Sequence, residues 1–176
     1  MKDKKAVFFC SAVKEIDPIF NQAARDAVRA ACLCGYDIVS GGTIKGTMDV
    51  VSDEAAKCGA LVHGVLPRFM KGLEHPQLTD CVWTDTMSER KEAMREGTCL
   101  AVALPGGIGT LDELSETYCL AKMHIYPGKV IAFNLEGFYN AYRDQLDTCV
   151  RYGMLDAASR EMISFPETIE EFKKLI

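Results

Sequence analysis

The sequence lacks both a long hydrophobic run and an excess of basic residues. Its first apolar segment, residues 6–10, is too short for a membrane span or for the core of a secretory signal peptide. The formal net charge of the 176 residues is −5, so no broad positive surface is available to attract a nucleic-acid backbone or an anionic membrane. We therefore expect a cytoplasmic protein that binds neither nucleic acid nor membrane.

The cysteines and histidines lack the spacing of a metal site or a disulfide framework. Eight cysteines are scattered through apolar segments, and the one close pair, Cys32 and Cys34, has no second pair or neighbouring histidine to complete a tetrahedral zinc site. His63, His75 and His124 are dispersed, without the spacing of metal ligands. We expect mostly reduced core cysteines and no bound metal.

No internal repeat, low-complexity tract or linker divides the chain, so residues 1–176 are expected to form one domain. Short apolar runs alternate instead with segments of helical periodicity. The predicted strands are residues 6–10, 36–39, 60–66, 81–83, 99–104, 130–133 and 162–165. The predicted helices are residues 19–34, 46–59, 87–95, 110–123, 137–152 and 167 onward. This alternation predicts an α/β, Rossmann-like fold: a doubly wound, mostly parallel sheet of about seven strands with helices on both faces.

Ligands of such a sheet bind beyond the carboxyl ends of the strands. The candidate binding residues are therefore those that directly follow a predicted strand. They are Cys10 and Ser11 after the first strand, Gly41, Gly42 and Lys45 after the second, Met87, Arg90 and Lys91 after the fourth, and Pro105, Gly106, Gly107, Gly109, Thr110, Asp112 and Glu113 after the fifth.

The loop after the fifth strand is rich in glycine and leads into a helix. Gly106, Gly107 and Gly109 would let backbone amides approach an anion closely, and the helix dipole would favour a phosphate there. A tight strand-to-helix turn explains the same glycines equally well. The loop has neither the Gly-x-Gly-x-x-Gly spacing of dinucleotide sites nor the Gly-Lys-Ser/Thr of a Walker loop, which disfavours both of those chemistries.

Charged residues near this loop have both a structural and a functional interpretation. Asp112 and Glu113 are predicted in the first helical turn, where one acidic residue simply complements the dipole, but a second beside a phosphate loop suggests work on the ligand. Arg90 and Lys91 lie at the start of the helix after the fourth strand. We expect this strand to lie next to the glycine loop in the sheet. The two basic residues are typical of a solvated helix but, at that position, also favour an anionic partner.

Taken together, five segments resemble one enzyme family. The segments are Gly-Gly-x-x-x-Gly-x-Met (41–48), Gly-Val-Leu-Pro (64–67), Leu-Thr-Asp (78–80), Ser-Glu-Arg-Lys-x-x-Met (88–94) and Ala-Leu-Pro-Gly-Gly-Ile-Gly-Thr-Leu-Asp-Glu-Leu (103–114). In this order they resemble the LOG family of cytokinin riboside 5′-monophosphate phosphoribohydrolases, also described as lysine decarboxylase-like.

The resemblance implies a homodimer that hydrolyses the N-glycosidic bond of a purine nucleoside 5′-monophosphate without a metal or redox cofactor. It assigns catalytic roles to Arg90 and Glu113 and phosphate binding to the loop from Gly106 to Thr110. The chain departs from the family at Ser88, where histidine is common, and at Tyr118, where plant-type members carry threonine near the presumed base pocket. AMP and N6-substituted AMP are both candidate substrates.

Two alternatives remain open. A Rossmann-like protein with a phosphate loop can also be a nucleotide-binding or carrier protein without catalysis. A pyridoxal-phosphate decarboxylase would need a Schiff-base lysine, for which Lys45 and Lys91 are available, and an acidic partner for the pyridine nitrogen. For the dimer, apolar Ile125 and Tyr126 after the signature helix are the predicted contact.

Overall fold

The computed structural model describes residues 4–176. Residues 1–3, which precede the apolar segment that we judged too short for a signal peptide, lie outside the described residues.

The chain alternates strands and helices from its first strand to its last helix. The strands are β1 (Lys4–Phe9), β2 (Tyr36–Ser40), β3 (Val62–Pro67), β4 (Asp80–Thr84), β5 (Leu100–Ala103), β6 (Lys129–Ala132) and β7 (Ile163–Ser164). The helices are α1 (Pro18–Leu33), α2 (Gly46–Lys57), α3 (Met87–Arg95), α4 (Ile108–Lys122), α5 (Asn140–Arg151), α6 (Ala157–Arg160) and α7 (Ile169–Leu175). Two short 3₁₀ helices span Arg68–Met70 and Leu135–Gly137.

All seven strands are parallel and form one sheet in the order β4-β3-β2-β1-β5-β6-β7. This confirms the predicted doubly wound α/β fold. The chain runs outward from β1 to β4, then crosses back to β5 on the other side of β1. The strand order thus reverses between β1 and β5, the point at which such sheets bind ligands.

Successive residues of the central strands enter two different apolar layers because side chains alternate across a sheet. In β1, Phe8 packs beneath α1, α2 and α7, whereas Phe9 packs beneath α3, α4 and α5. Both phenylalanines are almost completely buried. Burial on both faces explains why these strands are continuous apolar runs rather than alternating ones.

Several predicted element bounds were wrong at helix ends. The fourth helix begins at Ile108, so Asp112 and Glu113 lie in its second turn, where complementing the dipole no longer accounts for them. The fifth begins at Asn140 rather than 137, because Glu136 and Gly137 have φ angles of 53° and 70°, which no α-helix accommodates. Thr168, predicted within the last helix, instead caps it by accepting the Glu171 N–H.

The predicted adjacency of the fourth strand to the glycine loop is also wrong. β4 is the edge strand and is separated from β5 by β3, β2 and β1. Helix α3 nevertheless packs over β3 as well as β4, because the β4–α3–β5 crossover must travel from the edge back past β1. The Arg90 side chain accordingly donates to the carbonyl of Val65 in β3.

The cysteines are all free thiols, but the prediction that most are core residues is wrong. Of the eight, only Cys10 is buried, whereas Cys34, Cys58, Cys99 and Cys119 are exposed. Cys34 and Cys58 lie at the ends of α1 and α2, Cys119 lies on an outward face of α4, and Cys99 directly precedes β5. No helix within residues 4–176 is both long and apolar enough to cross a membrane.

The loop after β2 approaches β3 closely at Gly42. The φ of Gly42 is +69°, and a Cβ there would lie 2.8 Å from the Cα of Gly64. Gly35 has a similar φ of +82° but open space around it. We expect Gly42→Ala to lower the free energy of unfolding by about 2–4 kcal/mol, from backbone strain plus overpacking, and Gly35→Ala by only about 1 kcal/mol. Urea unfolding measures both, and equal losses would contradict the close approach.

Candidate active site

A cavity of about 330 Å³ lies at the carboxyl edge of the sheet, beyond the ends of β1 and β5. This volume is in the usual range for a small-molecule site. Its polar lining consists of Ser11, Thr43, Lys45, Arg90, Lys91, Thr110, Asp112 and Glu113, and its glycines are Gly41, Gly107 and Gly109. Its apolar lining consists of Phe8, Cys10, Ala12, Val13, Met48, Met70, Met87 and Met94.

The cavity brings together all but three of the candidate residues. The exceptions are Gly42, Pro105 and Gly106, which do not line it. Gly42 packs against β3, and Gly106 packs so closely against Thr110 that a Cβ there would overlap the threonine side chain. Gly42 and Gly106 therefore shape the loops, while their neighbours form the surface.

The first turn of α4 forms one wall of the cavity. Gly107 is the N-cap and supplies no side chain to accept a hydrogen bond from this turn. The first backbone N–H groups of a helix have no partner within the helix, and together with the dipole they favour an anion. Gly107 and Gly109 have open space where a Cβ would lie, so a ligand can approach the backbone directly.

Arg90 and Glu113 form a buried ion pair in the cavity. The Nη1 atom of Arg90 donates to Oε1 of Glu113 at 2.9 Å, and Nε donates to the Val65 carbonyl at 3.0 Å. The two residues are 8% and 9% exposed, so little solvent screens the pair. The pair joins α3 to α4 and fixes the guanidinium and the carboxylate relative to each other.

Burial raises the pKa of Glu113 above that of an ordinary glutamate. The positive charge and hydrogen bond of Arg90 lower it, but do not cancel the effect of burial. Such a carboxyl group is suited to proton transfer or to stabilising a nearby cation, since water does not compete for it.

Lys91 and Asp112 pair across the same two helices nearer the surface. The Lys91 ammonium lies 3.0 Å from Asp112 and also contacts Glu116. The hydrogen bonds that its ammonium group donates to Glu116 and Asp112 raise the pKa of Lys91. Both carboxylates come from α4, so Lys91 already has anionic partners in the protein itself.

Lys45 lines the cavity and, unlike Arg90 and Lys91, forms no ion pair among the described residues. Within residues 4–176 no carboxylate lies within 4 Å of its ammonium group. It follows the Gly41–Gly42 turn and directly precedes α2. Gly41 itself packs against the guanidinium of Arg90 and the side chain of Met48, where no Cβ would fit. The loop after β2 therefore contacts the ion pair and also presents a free positive charge.

The loop after β1 closes the floor of the cavity. Cys10 is buried there, and burial raises the pKa of its thiol, with the charge of Glu113 acting in the same direction. The Ser11 hydroxyl accepts the N–H of Val13, and the Ser11 carbonyl accepts the N–H of Thr47 in α2. The first two crossovers are thus joined at the base of the site.

Sequence reasoning identified Met87 but missed Met48, Met70 and Met94, which line the apolar side with it. Met48 and Met94 end two of the motifs that carry the family resemblance, so a signal for them was present. Met70 belongs to the 3₁₀ helix after β3, which no periodicity marked. Together with Met87 they form a soft and adaptable apolar wall.

Two tyrosines lie elsewhere than expected. Tyr118, placed near the base pocket, is buried and donates its hydroxyl to the Ser159 carbonyl without lining the cavity. Tyr126, expected at a dimer contact, is buried with its hydroxyl beside that of Thr98. Of that predicted contact, Ile125 alone is exposed. Among the described residues no group of three His, Cys, Asp or Glu side chains could hold a metal ion.

Comparison with known proteins identifies the family. The profile of the family described as "Possible lysine decarboxylase" matches residues 48–176. The chain is 30% identical over 170 residues to the probable cytokinin riboside 5′-monophosphate phosphoribohydrolase LOGL3 of Oryza sativa subsp. japonica, covering 96% of this chain and 81% of that protein. It is 31% identical over 170 residues to the phosphoribohydrolase LOG4 of Arabidopsis thaliana, covering 95% and 79% respectively.

Solved structures show the same fold at lower sequence identity. The Moco carrier protein of Chlamydomonas reinhardtii superposes with a TM-score of 0.74 and 16% identity, covering 99% of this chain and 95% of that chain. The molybdenum cofactor binding protein of Rippkaea orientalis superposes with a TM-score of 0.70 and 19% identity, covering 99% and 96%. The fold is thus shared with binding proteins, whereas the family profile and the sequence relatives show that this chain belongs to the LOG, or lysine decarboxylase-like, family.

Proposed function

We propose that the protein hydrolyses the N-glycosidic bond of a purine nucleoside 5′-monophosphate and releases the free base and ribose 5-phosphate. The observation that carries this proposal is the buried Arg90–Glu113 pair beside the open start of α4. A phosphate site next to a desolvated carboxylate is the arrangement that N-glycosidic cleavage of a nucleotide requires. The curated relatives are named for this reaction on cytokinin riboside monophosphates.

In this proposal the 5′-phosphate binds at the first turn of α4. Gly107, Gly109 and Thr110 line the cavity there. The backbone N–H groups of this turn have no partner within the helix, and together with the helix dipole they favour an anion. Lys45 adds a cation from the opposite loop. Arg90 cannot neutralise the phosphate alone, because its charge is already balanced by Glu113.

The chemical step places positive charge on the ribose, and Glu113 acts on that charge. As the bond from C1′ to the base nitrogen breaks, its electrons go to the base and an oxocarbenium-like ribose forms. The carboxylate stabilises this cation and accepts a proton from the water whose oxygen bonds to C1′, and the departing base takes a proton from solvent. Glu113 then releases its proton to solvent, so that the net change is the addition of one water. Arg90 holds the carboxylate in place during this step.

The methionine wall is the proposed contact for the base. Met48, Met70, Met87 and Met94 offer an apolar surface without a fixed hydrogen-bonding pattern. Such a surface accepts adenine and equally an adenine with an apolar N6 substituent. AMP and N6-substituted AMP are therefore the proposed substrate class.

A non-catalytic nucleotide or cofactor carrier is the second candidate, because proteins named as Moco carriers share the fold. The two functions differ in what they require of Glu113. A carrier has no reaction in which a buried carboxylate takes part, whereas N-glycosidic hydrolysis uses it to stabilise the ribose cation.

We further propose that the chain forms a homodimer in the cytoplasm as a single domain. Ile125 is 64% exposed at the end of α4, next to Met123, and offers an apolar contact for a second copy. Light scattering at micromolar concentration would determine the mass in solution.

Replacing Glu113 tests the reaction directly. Glu113→Gln keeps an acceptor for Arg90 but removes the negative charge, so we expect turnover of AMP to fall by about 10³-fold while AMP still binds. The measurement is release of ribose 5-phosphate by a reducing-sugar assay. Glu116→Gln, one turn along the same helix and outside the cavity lining, is the matched control and should retain most turnover. Near-normal turnover by Glu113→Gln would overturn the catalytic role.

The pH dependence follows from the raised pKa of Glu113. Activity needs the ionised carboxylate, so it is present above the folded-state pKa and lost as pH falls through it. Because burial raises that pKa, the acid limb of kcat/KM should lie above the pKa of an ordinary glutamate. Circular dichroism at each pH, and recovery of activity on return to neutral pH, separate titration from unfolding. An acid limb at or below the ordinary glutamate value would contradict the assignment.

A further inference from the structure

His75 is buried and contacts none of the ligand-facing surface, yet it lies beneath one wall of the cavity. It is 3% exposed and belongs to the segment between the 3₁₀ helix after β3 and the start of β4. Neither the sequence motifs nor the proposed chemistry uses it. A buried imidazole in a connecting segment needs a reason, since its polar atoms cost free energy unless they are paired.

The two ring nitrogens of His75 face different groups. Nδ1 accepts the backbone N–H of Gln77 at 3.1 Å, so the ring proton lies on Nε2. Nε2 faces two carboxylates of α2, at 3.3 Å from Asp49 and 3.5 Å from Asp53. The ring thus closes a turn in its own segment and connects that segment to the helix that follows the cavity loop.

The backbone around His75 pairs with that same loop. The N–H of His75 donates to the Gly42 carbonyl at 2.8 Å, and the N–H of Ile44 donates to the Leu73 carbonyl at 3.0 Å. Between these two bonds, Thr43 and Glu74 form an antiparallel bridge. The segment and the loop therefore form a short two-stranded ribbon.

This ribbon supports residues that face the ligand. Thr43 and Lys45 on one strand of the ribbon line the cavity, and Gly41 next to it packs against the Arg90 guanidinium. Met70, also in the lining, accepts through its carbonyl the N–H of Leu73 at the start of the other strand. Displacement of the ribbon would move the free cation and part of the apolar wall, while the Arg90–Glu113 pair stays anchored by Val65.

We propose that His75 is a positioning residue for nucleotide binding: its ring holds the 71–78 segment against α2 and thereby fixes the Gly41–Lys45 wall. This inference rests on the proposed nucleotide site. It assigns to His75 an effect on affinity rather than on the chemical step, because the wall contacts the ligand and the carboxylate that reacts is held elsewhere.

The test compares variants that remove the two functions of the ring one at a time. His75→Ala removes both, whereas the shorter amide of His75→Asn can still accept the Gln77 N–H, as in an Asx turn, but cannot reach α2. The double variant Asp49→Asn with Asp53→Asn keeps the imidazole and weakens only its attachment to the helix. His63→Ala removes a histidine paired with Asp80 at the amino end of the sheet, away from the cavity, and is the control.

We expect KM for AMP to rise about tenfold in His75→Ala and less in His75→Asn, with kcat within about threefold of wild type, since small misplacement of contacts weakens binding. The double aspartate variant should show a smaller shift in the same direction, which tests the proposal even if His75→Ala does not fold. The His63→Ala control should bind AMP as wild type does. A fall in kcat as large as the rise in KM would overturn the positioning role, and so would an unchanged KM in the folded variants.

Calorimetric titration of AMP into the same variants, each carrying Glu113→Gln, gives the affinity without turnover. If wild type releases ribose 5-phosphate and the His75 variants bind AMP normally, the positioning role fails while the hydrolase stands. If wild type releases none but the His75 variants bind AMP more weakly, the hydrolase fails and the positioning role stands.

Discussion

The buried ion pair between Arg90 and Glu113 is the constraint on which the site depends. Each charge loses most of its hydration, and removing one partner of such a pair typically costs about 3–5 kcal/mol because the other is left buried and uncompensated. The pair persists because Arg90 also donates to the Val65 carbonyl, which fixes its direction. Its net charge is zero, so a phosphate must be bound by other groups: the start of α4 and Lys45.

The topology explains how residues far apart in sequence form this pair. The chain leaves β1 toward the edge strand β4 and must return across three strands to reach β5. Helix α3 begins this return over β4 and β3, and the Arg90 side chain extends from it to α4. Helix α4 starts from the adjacent glycine loop and brings Glu113 to the same place. The site is therefore a consequence of the reversal in strand order.

Much of the fold could be predicted from sequence because its signals are local. Apolar runs located each of the seven strands, and the pair Asp17-Pro18 is a local signal for the start of α1, because the Asp17 side chain accepts the Ile19 N–H. The start of α5 could not be predicted, since the left-handed Glu136 leaves no sequence signal of the kind that glycine does. The place of β4 at the sheet edge depends on long-range strand pairing, which no periodicity records.

The candidate site divides in the same way. Glycines and charged residues after the strands were visible in sequence, and most of them line one cavity. Their ion-pair partners could not be predicted. Arg90 pairs with Glu113, and Lys91 pairs with Asp112 and Glu116, only because α3 packs on α4. Met70 and His75 act through a connecting segment whose pairing with the Gly41–Lys45 loop is tertiary.

A shared fold does not decide between hydrolysis and carriage, since this LOG-family chain and the Moco carrier protein have the same fold. The products decide it. Purified protein incubated with AMP, and separately with an N6-alkylated AMP, should release free base and ribose 5-phosphate in equal amounts, identified by mass spectrometry. Recovery of intact bound nucleotide, or of nucleoside and inorganic phosphate, would contradict the account.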